Sequence, residues 1–247
     1  MPEITAAKKE AIAKKYGLQI PARPLSPAEA PLQARQGGKK GGLSPEKRPR
    51  HMKKIVITPN QSIGDLFLGM PQAEADAWFK QQYEKAAQEG LVRCKTYCIG
   101  KGTLSRGKIQ YLTYGVTDNE IYPVLYRNGV LYTVGLLQGA ADEAIVMVND
   151  VVVFQRNAED VVADLARIAP YTWESDDGYT NEMWANTYEF PALGVELWRE
   201  HVYHPDMEKE EWFQAQPEEE KQYLRENWRR FERVTLHPSD WPPKIEI

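Results

Sequence analysis

Residues 120–137 read EIYPVLYRNGVLYTVGLL, and this stretch decides the fold class. Aromatic and β-branched residues flank Asn128-Gly129, a pair that readily takes the two left-handed positions of a type I′ turn. Two such runs joined by two residues make a β-hairpin, the unit of antiparallel sheet. Downstream, AIVMVNDVVVF (144–154) repeats the arrangement around Asn149-Asp150. Upstream, LVRCKTYCIG (91–100) and KIQYLTYGVT (108–117) read as strands on either side of the Gly-rich GKGTLSRG (100–107). KKIVITP (53–59) is a further strand, stopped by Pro59, and ALGVELWREHVY (192–203) another.

Helical spacing appears in three places. Ala75, Trp78, Phe79, Gln82, Tyr83 and Ala86 recur at intervals of three and four between Pro71 and Gly90, which predicts an amphipathic helix over 71–89. Asn157 is placed to cap a second helix, AEDVVADLARIA (158–169), with Val161, Val162, Leu165, Ile168 and Ala169 on one face and Pro170 ending it. PEEEKQYLRENWRRFERV (217–234) opens with acids and closes with bases, as the helix dipole favours. Its stripe of Leu224, Trp228, Phe231 and Thr235 would dock on the sheet. The expected fold is α+β, a mostly antiparallel sheet with about three helices packed on one side.

Texture and charge change sharply at Met52. Residues 1–51 carry 11 Lys and Arg against 4 Glu, whereas the remainder carries 20 basic and 31 acidic residues. The first segment holds a short Lys-rich helix (5–16), then six prolines and four glycines between Leu18 and Arg50, the composition of a linker. His51-Met52 is the pair that a CATATG cloning junction encodes, and a fused leader is the favoured reading; a natural basic tail is its rival. The expected organisation is a basic leader over 1–51 and an acidic domain over 52–247. The acidic domain should repel nucleic acid and attract basic proteins, while the leader could hold nucleic acid.

No apolar run approaches the ~18–20 residues that span a bilayer, and the N-terminus lacks the apolar core of a secretory signal. The two cysteines, Cys94 and Cys98, are too far apart for a disulfide on an extended segment. A cytoplasmic protein with free thiols and no cofactor is the expectation.

No catalytic set stands out. His201 and His204, followed by Asp206 and Glu208, lack recognised zinc-ligand spacing. GKGTLSRGK has Ile109 where a phosphate loop needs a hydroxyl, and a strand follows instead of a helix. The chemistry-bearing stretch is TWESDDGYTNEMW (172–184). Glu174, Asp176, Asp177 and Glu182 are interleaved there with Trp173, Tyr179 and Trp184, giving acids to steer a basic partner and aromatics to anchor it. A carboxylate-dependent hydrolase working through residues 174–208 is the alternative. A plain solvated loop with its aromatics tucked into the core is the bland one.

ITPNQSIGDLFLGM (57–70), followed by an amphipathic helix, resembles the I-x-P-x-x-S-I-G-x-x-x-L-G-M opening of a group of small bacterial proteins. Several of these are predicted immunity proteins of polymorphic toxin systems. LGVELWRE (193–200) is similar to a later strand of the same group. The resemblance implies a non-catalytic protein that neutralises a cognate toxin by occlusion, with a basic toxin domain as partner. The group has no catalytic motif to carry over, and the 171–190 segment and the 206–240 tail have no counterpart in it.

Overall fold

The computed structural model describes residues 52–104, 109–175 and 181–241. The leader, the 105–107 part of the Gly-rich segment, and Asp176, Asp177 and Tyr179 of the predicted site lie outside them. In chain order the elements begin with β1 (Lys53–Thr58), the two-residue strands β2 (Ser62–Ile63) and β3 (Leu66–Phe67), and helix α1 (Gln72–Gln88). Strands β4 (Cys98–Leu104), β5 (Ile109–Gly115), β6 (Ile121–Arg127), β7 (Val130–Leu137), β8 (Ala144–Val148) and β9 (Val151–Val152) follow. Then come α2 (Ala158–Ala166), β10 (Thr172–Glu174), β11 (Thr187–Phe190) and β12 (Val195–Trp198). Helices α3 (Glu211–Gln214) and α4 (Glu218–Asn227) precede the last strand, β13 (Arg233–Leu236). Among the described residues no helix is long and apolar enough to cross a membrane.

The β6–β7 hairpin lies in the middle of an eight-stranded antiparallel sheet, ordered β10-β11-β12-β13-β7-β6-β5-β4. Asn128 and Gly129 have φ of +54° and +76°, as the tight turn requires. Period-two alternation turns Tyr122, Val124 and Tyr126 of β6 and Val134 and Leu136 of β7 into the core. Pro123, Leu125 and Thr133 point the other way.

Helix α1 lies on the inward face. It buries Ala75, Phe79 and Ala86, and the Phe79 ring stacks on Tyr114 of β5 with centroids 4.0 Å apart. The Tyr114 hydroxyl donates to Asp76 on the same helix. Burial first, then that carboxylate and Tyr126, pushes this phenol far above its ordinary value near 10.

The α+β class and the large antiparallel sheet match the expectation, and helices α1, α2 and α4 sit where three were expected. A second sheet was not anticipated. Its order is β3-β2-β1-β8-β9, and β1 runs parallel to β8 with Lys53 to Ile57 opposite Ala144 to Val148.

Several local expectations need correction. Residues 91–97 are not strand: Tyr83 donates to the Cys94 carbonyl at 2.6 Å and Asp118 accepts from the Arg93 amide at 2.9 Å, so side chains take what a ladder would. Pairing starts at Cys98, and Gly100 and Gly102 belong to β4 and not to a loop. Both cysteines are free and half-buried. Asn157 occupies the cap position of α2 without a side-chain bond, and Ile168 is 51% exposed. The last helix stops at Asn227, and Arg233–Leu236 is a strand between β7 and β12.

Candidate partner-binding surface

The predicted site residues divide between core and surface. Trp173 stands opposite Tyr188 on the short edge strand β10 and packs against the core, while Glu174 beside it is exposed. Asn181 caps the 3₁₀ turn Glu182–Trp184, its side chain accepting from the Met183 amide at 3.0 Å. Glu182 is exposed, with one carboxylate oxygen 3.3 Å from the Tyr171 hydroxyl. Trp184 lies with His204 edge to face at 4.1 Å.

Arg199 holds this turn from beneath. It follows β12, is fully buried, and donates from Nε to the Ala185 carbonyl at 3.1 Å and from Nη2 to the Met183 carbonyl at 2.8 Å. Asn186, also buried, donates to the carbonyls of Arg199 and Glu200. The turn is therefore fixed, and Met183 is left 54% exposed at its tip.

The Trp184–His204 contact joins this turn to residues 200–232, which carry ten acidic and five basic residues. His201 packs edge to face on Trp228 at 4.7 Å, and Trp228 lies 6.0 Å from Trp212, which is 43% exposed. The two histidines thus have different aromatic partners, and the His204 Nδ1 accepts from the Asp206 amide. Among the described residues no group of three or more His, Cys, Asp or Glu side chains is placed to hold a metal.

Two of these acids, Asp206 and Glu208, are held as anions. Tyr203 and Arg225 keep the Glu208 carboxyl below its ordinary range, and Lys209 does the same for Asp206. Arg225 bridges Glu208 at 3.0 Å and Glu218 at 2.8 Å, tying α4 to the 3₁₀ turn Pro205–Lys209. Carboxylates held ionised in this way are poor proton donors.

Of the residues named from the sequence, Trp173, Glu174, Glu182 and Trp184 lie on or beside this turn; helical spacing assigned Trp228 to a stripe docking on the sheet, and neither Trp212 nor Met183 was named as a site residue. The signal for Trp212 is its neighbour Phe213. Adjacent residues on a helix point about 100° apart, so one ring of the pair goes inside, and Phe213 is the buried one.

No protein-family model matches the chain, and no curated protein or solved structure matches it either.

Proposed function

We propose that this protein is a non-catalytic binding module that neutralises a basic protein partner by covering it, as an immunity protein covers its cognate toxin. The observation that carries the reading is Trp212. A large ring nearly half exposed, contiguous with Trp228 and His201 and preceded in sequence by Glu210 and Glu211, is an anchor without a cover. Glu210 and Glu211 beside it, and Glu182 on the turn joined to this segment through Trp184 and His204, are exposed and available to speed encounter with a cationic surface. The test is co-expression with candidate basic toxin domains, scored by cell survival. Survival is expected with the native chain and lost when Trp212→Ala is combined with Lys at Glu182 and Glu211. Full protection by that variant overturns the assigned surface.

A hydrolase reading has one observation in its favour. Glu189 and Glu196 face each other across β11 and β12, which sets two carboxylates side by side, the residue types a glycosidase uses. Each is already matched to a cation, Glu189 to His237 at 2.7 Å and Glu196 to Arg233 at 2.9 Å. Glu189→Gln and Glu196→Gln variants that leave any measured hydrolysis unchanged end this reading.

A further inference from the structure

The outward face of the large sheet carries a cavity of about 140 Å³ that shares no residue with the acidic surface. Register explains its form. Leu125 faces Thr133 across β6 and β7, Gly135 faces Thr235 across β7 and β13, and Thr235 faces Glu196 across β13 and β12. Gly135 leaves a gap in the row. A Cβ there would come within 3.0 Å of Pro123 Cγ, so a larger residue would press on the cavity wall.

Thr133 and Thr235 form the floor and are 3% and 8% exposed. Among the described residues neither hydroxyl has a hydrogen-bond partner, although both residues line the cavity. Neither hydroxyl oxygen is itself sealed off, so both are open to the cavity and available to a ligand or to solvent. Among the described residues the buried polar atom without a partner at this cavity is Arg233 Nε, the kind of group native proteins nearly always satisfy. Along one side, Arg233 Nη2 donates to Glu196 Oε1 at 2.9 Å, which leaves Glu196 Oε2 as a free acceptor among the described residues. Tyr111 and Trp241 supply aromatic surface. Trp241 is steadied by the His237 ring, stacked at 5.6 Å.

We propose that this cavity binds one neutral six-membered ring bearing hydroxyl groups, that is, a single sugar residue, free or at the end of a glycan. Size comes first: a cavity of ~150 Å³ holds a bare six-membered ring such as benzene, so here the ring would sit inside with its outer hydroxyls toward solvent, and drug-sized ligands need ~300–1,000 Å³. Charge comes second. Glu196 and Arg233 cancel, so neither a cation nor an anion gains from entering. Chemistry comes third. The threonine hydroxyls, the free carboxylate oxygen and the guanidinium offer donors and acceptors to replace the water that ring hydroxyls lose, and a desolvated hydroxyl left unpaired would forbid binding. The aromatic faces then cover the C–H surface of the ring.

The experiment titrates the full chain with glucose, galactose and N-acetylglucosamine, with benzamidine and benzoate as charged rings of similar size. Calorimetry and tryptophan fluorescence are the readouts. One sugar at least should bind, and both charged rings should bind at least tenfold more weakly. Thr133→Val with Thr235→Val should weaken the sugar tenfold or more without lowering the melting temperature, because those hydroxyls bond to nothing in the free protein. Tyr111→Ala, at a position 39% exposed, is the second variant and should also weaken it. A trisaccharide ending in the preferred sugar distinguishes the sources: equal binding assigns a glycan end, and loss assigns the free sugar. No sugar binding, tighter binding of a charged ring, or unchanged affinity in both variants overturns the proposal.

Discussion

Arg199 and Glu159 form an ion pair at 3.3 Å in which the guanidinium is sealed from solvent and the carboxylate remains 35% exposed. The carboxylate is the lesser of its partners. The same guanidinium serves the carbonyls of Ala185 and Met183 and lies 5.8 Å from the Phe231 ring, so it joins α2, the 182–184 turn and the core. Arg199→Met strands two carbonyls and is expected to cost ~3 kcal/mol, lowering Tm by roughly 6–12 °C in a domain this size. Glu159→Gln keeps an acceptor in place and should cost under ~1 kcal/mol. Thermal denaturation followed by circular dichroism separates the two, and equal losses would assign the stabilisation to the charge pair instead.

His237 predicts a pH dependence. It is buried, with Nδ1 3.0 Å from the Pro238 carbonyl and Nε2 2.7 Å from a Glu189 oxygen, the second contact angled away from hydrogen-bond geometry. Burial by itself lowers its pKa, but Glu189, the Pro238 carbonyl and Glu196 outweigh burial and leave it above its ordinary 6.5. A histidine with a raised folded-state value stabilises the fold fully below its unfolded value and loses that contribution as pH rises through the folded one. Melting temperature should therefore fall as pH climbs above about 6.5. In Glu189→Gln the fall should be shallower, which a series of melts at stepped pH measures.

How far the sequence could be read depends on where the deciding interaction lies. The β6–β7 hairpin was legible because its signal is local: alternation and Asn128-Gly129 lie within 18 residues. Helix α1 was legible for the same reason. Strand β13 was not, since Arg233–Leu236 follows a charged helix whose stripe of Leu224, Trp228 and Phe231 continues at helical spacing to Thr235. Only the neighbours β7 and β12, distant in sequence, make it a strand. The parallel β1–β8 pair was hidden likewise, for nothing within KKIVIT names a partner about ninety residues away. At the acidic surface, acids and tryptophans were visible in 173–184, but which rings face outward was not. Trp173 went to the core and Trp212 did not.

Trp212 allows stability and binding to be separated. Its ring is 43% exposed and its neighbour Phe213 does the packing, so Trp212→Ala should change stability by no more than ~0.5 kcal/mol. Association with a basic partner should weaken at least tenfold, ~1.4 kcal/mol, by calorimetry. Lys at Glu182 and Glu211 should instead slow association and flatten its salt dependence. A destabilised Trp212→Ala protein would make the ring structural and remove it as an anchor.

Gly194 sits where the two sheets meet, and its replacement can be compared with an internal control. The Asn60 amide donates to the Leu193 carbonyl at 2.9 Å, Asn60 Nδ2 to the Ala192 carbonyl at 2.8 Å, and the His237 amide to Gly194 itself at 2.9 Å. With φ of +61°, Gly194 is left-handed, and a Cβ there would come within 2.5 Å of the His237 carbonyl oxygen and 2.6 Å of Asn60 Oδ1. Gly64 has nearly the same φ, +55°, with nothing within 4 Å of its would-be Cβ. Gly64→Ala should therefore cost only the left-handed penalty, ~1–2 kcal/mol. Gly194→Ala carries that penalty and must also move the backbone of His237, whose amide ties the end of β13 to Gly194, so a loss exceeding the control by ~1–3 kcal/mol is expected. Urea denaturation of both variants measures the difference. Equal losses would mean that the junction between the sheets yields, and that its hydrogen bonds do not hold it in one arrangement.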